Sequence, residues 1–236
     1  MRDVWLVCRK ELAEVFWAPG ARRPQALAML AQVGVFGVLI PYFQAPGWLQ
    51  ESLMLSIMFL LLPLMSAFAQ TASSFAGERE RKTLESLMAT PLGVGALFFG
   101  KCLAVVIQSY GTVAASALAS AVALNVWLLN HGGNVPFSYS GPAWFALLAT
   151  SLAVTLFAVS SGVLISLRSQ SVRAAQSVTL VVSILAILPL MLGVVKVAIG
   201  WRFLLPATGI LLAVDAAVAG IAVVQFGRAA TRAARR

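Results

Sequence analysis

The chain has 236 residues, of which 60% are apolar and only 11% charged, against about 25% charged in ordinary globular domains. That composition excludes a soluble globular fold. The net charge of +9 would suit a nucleic-acid partner, but its distribution, described below, belongs to membrane topology instead.

Residues 1–18 read as an amphipathic helix on a membrane surface. Val4, Trp5, Cys8, Leu12, Val15 and Phe16 gather on one side of a helical wheel, opposite Asp3, Lys10 and Glu14. Pro19 and Gly20 stop this helix, and Arg22-Arg23 before Pro24 mark a headgroup boundary. No short basic leader ahead of an apolar run is expected to be cleaved. About 20 apolar residues cross a hydrocarbon core of about 30 Å. Six such runs follow, at about 27–43, 52–74, 95–128, 143–167, 174–195 and 203–226. They leave no stretch for an independent soluble domain. Because spanning backbone must satisfy its own hydrogen bonds, the expected fold is all-α: one transmembrane domain, 1–236, with six spans.

Between the first two spans, residues 44–51 carry no Lys or Arg. The third run is longer than a bilayer needs, which tilt or a start outside the hydrocarbon accommodates. Within it Gly111, Ala115, Ala119 and Ala123 recur every four residues, a spacing that lets helices approach within one chain. Residues 130–142, rich in Gly, Pro and Asn, read as an irregular outer loop, and 168–173 as a tight inner link. With the N-terminus inside, only Lys196 and Arg202 of the 17 Lys and Arg fall outside. The positive-inside rule then places both termini in the cytosol, with 228–236 as a basic tail. No internal repeat is visible, unlike in inverted-repeat secondary transporters.

Few residues suggest chemistry. His131 is the single histidine, and neither HExxH nor GxSxG occurs, so catalysis by this chain is not expected. Cys8 and Cys102 both map to the reducing side, where disulfides are disfavoured. Gly95–Lys101, GALFFGK, matches GxxxxGK, but Cys102 replaces the Ser or Thr that would hold magnesium, and the stretch opens a membrane helix. Asp215 is the only acid deep in a span. It is either a polar point on a translocation path or a structural group bonded to a neighbouring helix, or to Lys196 or Arg202. Gln32, Gln70 and Gln108 pose the same question more mildly, with helix packing the plainer reading.

The most informative stretch is the charged connection after the second span, 77–92. Leu84, Leu87 and Met88 form an apolar stripe at i, i+3 and i+4. Glu78–Lys82 and Arg81–Glu85 are spaced for i,i+4 pairs, each contributing about 0.2–0.5 kcal/mol. Thr83 suits an N-cap, with Glu85 near the positive helix end, and Thr90-Pro91 ends the helix. Such a short helix either sits in a groove on a partner or is a plain interfacial segment whose charges set topology.

In Glu78, Glu80, Thr83, Leu84, Glu85, Leu87, Pro91, Gly100 and Lys101, with Lys10-Glu11-Leu12 near the N-terminus, the sequence resembles permease subunits of type-2 ABC exporters. Lys82 stands where many members have glycine. The resemblance covers the whole chain in architecture and is specific mainly over 77–101. It implies that Glu78, Glu80, Thr83, Leu84, Glu85, Leu87, Met88 and Pro91 form a coupling segment docked on a separate cytosolic ATPase. It further implies a second permease subunit, homo- or heterodimeric, in a bacterial or archaeal inner membrane. No cofactor would be bound by this chain, since ATP and magnesium reside on the ATPase, and no nucleic acid is expected. The alternative is an ion- or proton-coupled secondary transporter using Asp215. An intramembrane enzyme is the third and weakest reading.

Overall fold

The structure is a computed structural model and describes residues 2–16, 23–50, 53–80, 93–133, 136–166, 168–169, 171–197 and 199–233. Every regular element among them is helical. Six helices are long and apolar enough to cross a membrane: Gln25–Phe43, Met58–Phe75, Gly95–Asn130, Gly141–Ser166, Val172–Val194 and Trp201–Gln225. They coincide with the six runs expected from hydropathy. The N-terminal helix, Arg2–Phe16, precedes them.

The second and fourth spans form the centre of the bundle, each 67% buried, whereas the first is 11% and the fifth 22% buried. The fourth packs on the second and on the sixth, the third crosses the second, and the fifth leans on the second and fourth. Close packing at the centre needs small residues. A Cβ on Gly162 would lie 3.0 Å from Thr71 Cγ2, so the fourth span meets the second almost backbone to side chain.

Three spans are locally widened into π-helix, at Val33–Leu39, Ile57–Leu61 and Ala146–Thr150. Pro41 and Pro63 follow the first two within two residues. Proline lacks an amide hydrogen and crowds the carbonyl four residues back; a wider turn relieves both. The first of these segments is also where the first span touches the third: a Cβ on Gly37 would lie 3.0 Å from both Ser116 Cα and Ala119 Cβ. The expected small-residue stripe is therefore only half used. Ala119 and Ala123 face the bundle, while Gly111 and Ala115 are exposed. The third span instead buries Ser109, Thr112, Ser116 and Ser120.

Several buried hydroxyls are satisfied by their own helices, whereas those of Ser56, Ser109, Ser116, Ser166, Thr179 and Ser183 have no hydrogen-bond partner among the described residues. Thr71 donates to Ala67 O at 2.8 Å, Thr112 to Gln108 O at 2.9 Å and Thr155 to Ser151 O at 2.8 Å. Back-bonding of this kind lets polar residues sit in a low-dielectric interior without partners on other helices.

The loop after the third span is more ordered than its composition suggests. Asn125 Nδ2 donates to Phe137 O at 2.9 Å, and Phe137 N donates to Asn125 Oδ1 at 2.8 Å, so one side chain pins the strand-like 136–140 stretch. Trp48 Nε1 donates to Tyr139 Oη at 2.8 Å, and Tyr139 Oη lies 2.8 Å from Ser120 Oγ. Tyr139 also meets Trp144 edge-on at 5.5 Å. This loop lies as a lid on the 45–49 helix, the third span and the start of the fourth.

Candidate functional site

The charged segment has two roots, one at each end, and both are anchored. The helix of the second span runs on from Leu62 to Glu80, so Glu78 and Glu80 lie on its prolongation past the apolar part. Thr83, Leu84, Glu85, Leu87, Met88 and Pro91 lie outside the described residues. Gly93 caps the helix of the third span, which starts at Val94. Phe75, near the end of the second span, packs on Phe98 at the start of the third, ring centroids 6.1 Å apart. Both rings are buried, in a cluster with Ala67, Val105, Val159, Val163 and Ala222.

The second anchor is the N-terminal helix, which lies against the base of the third span. Gly100 makes the approach possible: a Cβ there would fall 2.7 Å from Val7 Cβ and 2.9 Å from Val4 O. No residue larger than glycine fits without moving the helix. One residue further on, Lys101 Nζ lies 2.7 Å from Glu11 Oε1, with side chains 5% and 9% exposed. A buried ion pair contributes little net stability over an apolar pair, but losing one partner leaves a stranded charge and costs about 3–5 kcal/mol. The pair therefore acts as a register pin. Cys8, fully buried beside it, has its thiol pKa raised, first by burial and second by the Glu11 carboxylate.

The face of the N-terminal helix that meets the bundle overlaps the apolar side read from the sequence only at Val4 and Cys8. Val7, Cys8 and Glu11 are buried, whereas Trp5 is 57% and Leu6 52% exposed. Val4, Val7, Cys8 and Glu11 follow the i, i+3, i+4, i+7 pattern, so the signal was present. A glutamate inside the stripe obscured it, because an acid reads as solvent-facing until its partner is known.

GALFFGK, Gly95–Lys101, lies wholly within the helix Val94–Asn130. Its amides from Ala96 onward are bonded into the helix and its lysine is held by Glu11, so it has no phosphate-loop geometry. Among the described residues no three of His, Cys, Asp and Glu gather to hold a metal ion.

The four intramembrane polar residues do not form one site. Gln70 is buried, donates to Ser66 Oγ at 3.2 Å and leaves Oε1 unpartnered. Gln108 is buried on the third span, and its carbonyl accepts from Thr112. Gln32 is half-buried where the first span turns to π-helix. Asp215 is 5% exposed, and neither carboxylate oxygen has a hydrogen-bond partner. Of the two readings of Asp215 left open by the sequence, the structural hydrogen bond is not made. Arg202 is thirteen residues back on the same helix, about 20 Å along the axis.

Residues 21–210 match the family described as "ABC-2 family transporter protein", a range well over half the chain. The chain is also 28% identical over 147 residues to the ABC transporter permease protein NatB of Bacillus subtilis (strain 168). That alignment takes in 59% of this chain and 38% of the Bacillus protein, so the matched part spans well under half the length of that relative.

Proposed function

The chain belongs to the ABC-2 family of transporter proteins and is a multi-pass protein of a prokaryotic inner membrane, and from that premise we propose that it is the permease subunit of an ATP-driven exporter. It has no ATPase site of its own in this reading. Separate cytosolic ATPase subunits hold ATP and magnesium, and a second permease subunit, identical or related, completes the pathway. The whole chain acts as one transmembrane domain, with 1–18 on the membrane surface, 77–92 as the coupling segment and 228–236 as a cytosolic tail. Glu78, Glu80, Thr83, Leu84, Glu85, Leu87, Met88 and Pro91 carry the contact with the ATPase.

The observation that supports this reading most is the double anchoring of the segment's roots. Phe75 on Phe98 ties one root to the other, and Lys101 on Glu11 ties the second root to the N-terminal helix. A push on residues 81–92 would move the second and third spans and the N-terminal helix together. A solvated loop with no mechanical role has no need of a buried ion pair at its base.

The test is co-purification. Replacing Leu84 and Leu87 together by aspartate puts two charges on the apolar stripe. The double variant should insert normally and lose the ATPase from a mild-detergent pull-down. Retention of stoichiometric ATPase by that variant would remove the coupling role from these residues.

A further inference from the structure

The fourth, fifth and sixth spans enclose a cleft of about 430 Å³, and every side chain that lines it is hydrocarbon. Its floor is buried: Phe157 of the fourth span is 5% and Leu211 of the sixth 6% exposed. Its rim is not. Pro189 of the fifth span and Pro206, Ile210 and Val214 of the sixth line the cleft and are exposed. Protein closes the cleft behind, and its front opens on whatever surrounds the spans.

Two magnitudes select what fills it. On the sixth span the lining runs from Phe203 to Val214, about 16 Å along a helix that rises about 1.5 Å per residue. One leaflet holds about 15 Å of hydrocarbon, half of a core about 30 Å thick. The Phe203 end lies two residues from Trp201, which is 47% exposed at the start of the span, and exposed tryptophan marks the headgroup level. The cleft therefore runs the depth of one leaflet. Its width is the second magnitude. A volume of about 430 Å³ over about 16 Å leaves a section of about 27 Å². A helix about 10–12 Å across needs about 80–110 Å², so a single narrow chain enters and a helix does not. Water has no hydrogen-bond partner among the lining side chains, and an empty void of this size is foreign to protein packing.

We propose that the cleft binds one acyl chain of a bilayer phospholipid, with its methyl end near Val214 and its glycerol end near Trp201. The chain fills the gap between the fifth and sixth spans, which touch each other only sparingly. Recognition is of hydrocarbon alone. The site does not depend on the exporter reading.

The experiment uses the full chain in phosphatidylcholine nanodiscs containing a small fraction of phosphatidylcholine with a diazirine midway along one acyl chain. After photolysis, peptide mass spectrometry reads where the probe has inserted. The reference is Leu118 and Val122 on the third span, 63% and 64% exposed against 67% for Ile210 in the cleft. Residues 186–190 and 203–214 should be labelled at least roughly threefold more than the reference, because a chain enclosed on three sides makes more close contacts than one on a bare helix face. Ala186→Trp, which fills the cleft, should bring this labelling down to the reference level. The milder Ala207→Leu should act in the same direction. Unchanged labelling at Leu118 and Val122 reports intact folding of both variants. Cleft labelling equal to the reference would mean ordinary boundary lipid, and labelling below it would mean that a second copy of this chain covers the cleft; either result overturns the site. An excess that survives both substitutions overturns it as well. None of these results touches ATPase co-purification, so the two readings fail separately.

Discussion

Lys101 Nζ and Glu11 Oε1, ninety positions apart in sequence, meet at 2.7 Å in a contact almost closed to solvent. The pair holds the N-terminal helix in one register on the third span. It is a polar fixture beside the close apolar approach of Val4, Val7 and Gly100.

Removing either partner strands the other. Lys101→Met or Glu11→Leu should lower stability by about 3–5 kcal/mol, whereas the double variant Glu11→Leu/Lys101→Met should recover most of that loss. Thermal unfolding in nanodiscs of the four proteins measures the coupling. Additive losses would mean that the two groups do not depend on each other.

Cys8 reports on the same contact. Burial first, and the Glu11 carboxylate second, hold its thiol above the ordinary 9.0, so at pH 8 the folded thiol is both covered and protonated. Raising the pH above 9.0 deprotonates an undocked thiol before a docked one, so docking weakens as alkalinity increases. In a Cys102→Ser background, alkylation at pH 8 should be slow and should quicken in Lys101→Met. A rate equal to that of a free cysteine in the parent protein would show that the helix is not docked.

Gly100→Leu should force the N-terminal helix away from the third span, because even a Cβ would lie 2.7 Å from Val7. A cost of about 1–3 kcal/mol is expected from overpacking, partly relieved by Val7→Ala. Insertion should be normal in both. A Gly100→Leu protein as stable as the parent would place the close approach elsewhere.

Asn125→Leu should free the lid loop. It removes two hydrogen bonds to the Phe137 backbone, each contributing about 0.5–1.5 kcal/mol. Limited proteolysis of the 131–140 region should accelerate, with the helices left intact. Unchanged cleavage would mean that the Tyr139 contacts hold the lid without Asn125.

Both termini should lie on the cytosolic side, with Lys196 and Arg202 outside. Reporter fusions at the two ends, and cysteine labelling at position 196, test this. Opposite-side termini would require an odd number of crossings among the six helices.

The coupling residues and the pin were legible to different degrees. Lys10-Glu11-Leu12 and Gly100-Lys101 stood out as sequence features, but nothing in either indicated that they touch. Linear spacing carries information about partners within a turn or two of helix; a contact across ninety residues depends on how the spans pack. Trp5, read as membrane-facing, is exposed on the bundle; spacing alone does not say which side of such a helix meets protein and which meets lipid. Asp215 was visible as an anomaly, and only packing could decide that its buried carboxylate hydrogen-bonds neither to a neighbouring helix nor to Arg202.

The sequence by itself determined the number of spans, their approximate ends and the all-helical fold. These follow from a one-dimensional requirement: enough consecutive apolar residues to cross hydrocarbon, with backbone hydrogen bonds closed inside each segment. The tertiary structure alone decided which faces are buried, because all sides of these helices are nearly equally apolar and lipid competes with protein for each of them. Glycine at 37, 100 and 162, where a Cβ would come within 3.0 Å of the neighbouring helix, and the buried charge of Lys101 on Glu11 favour one packing among many.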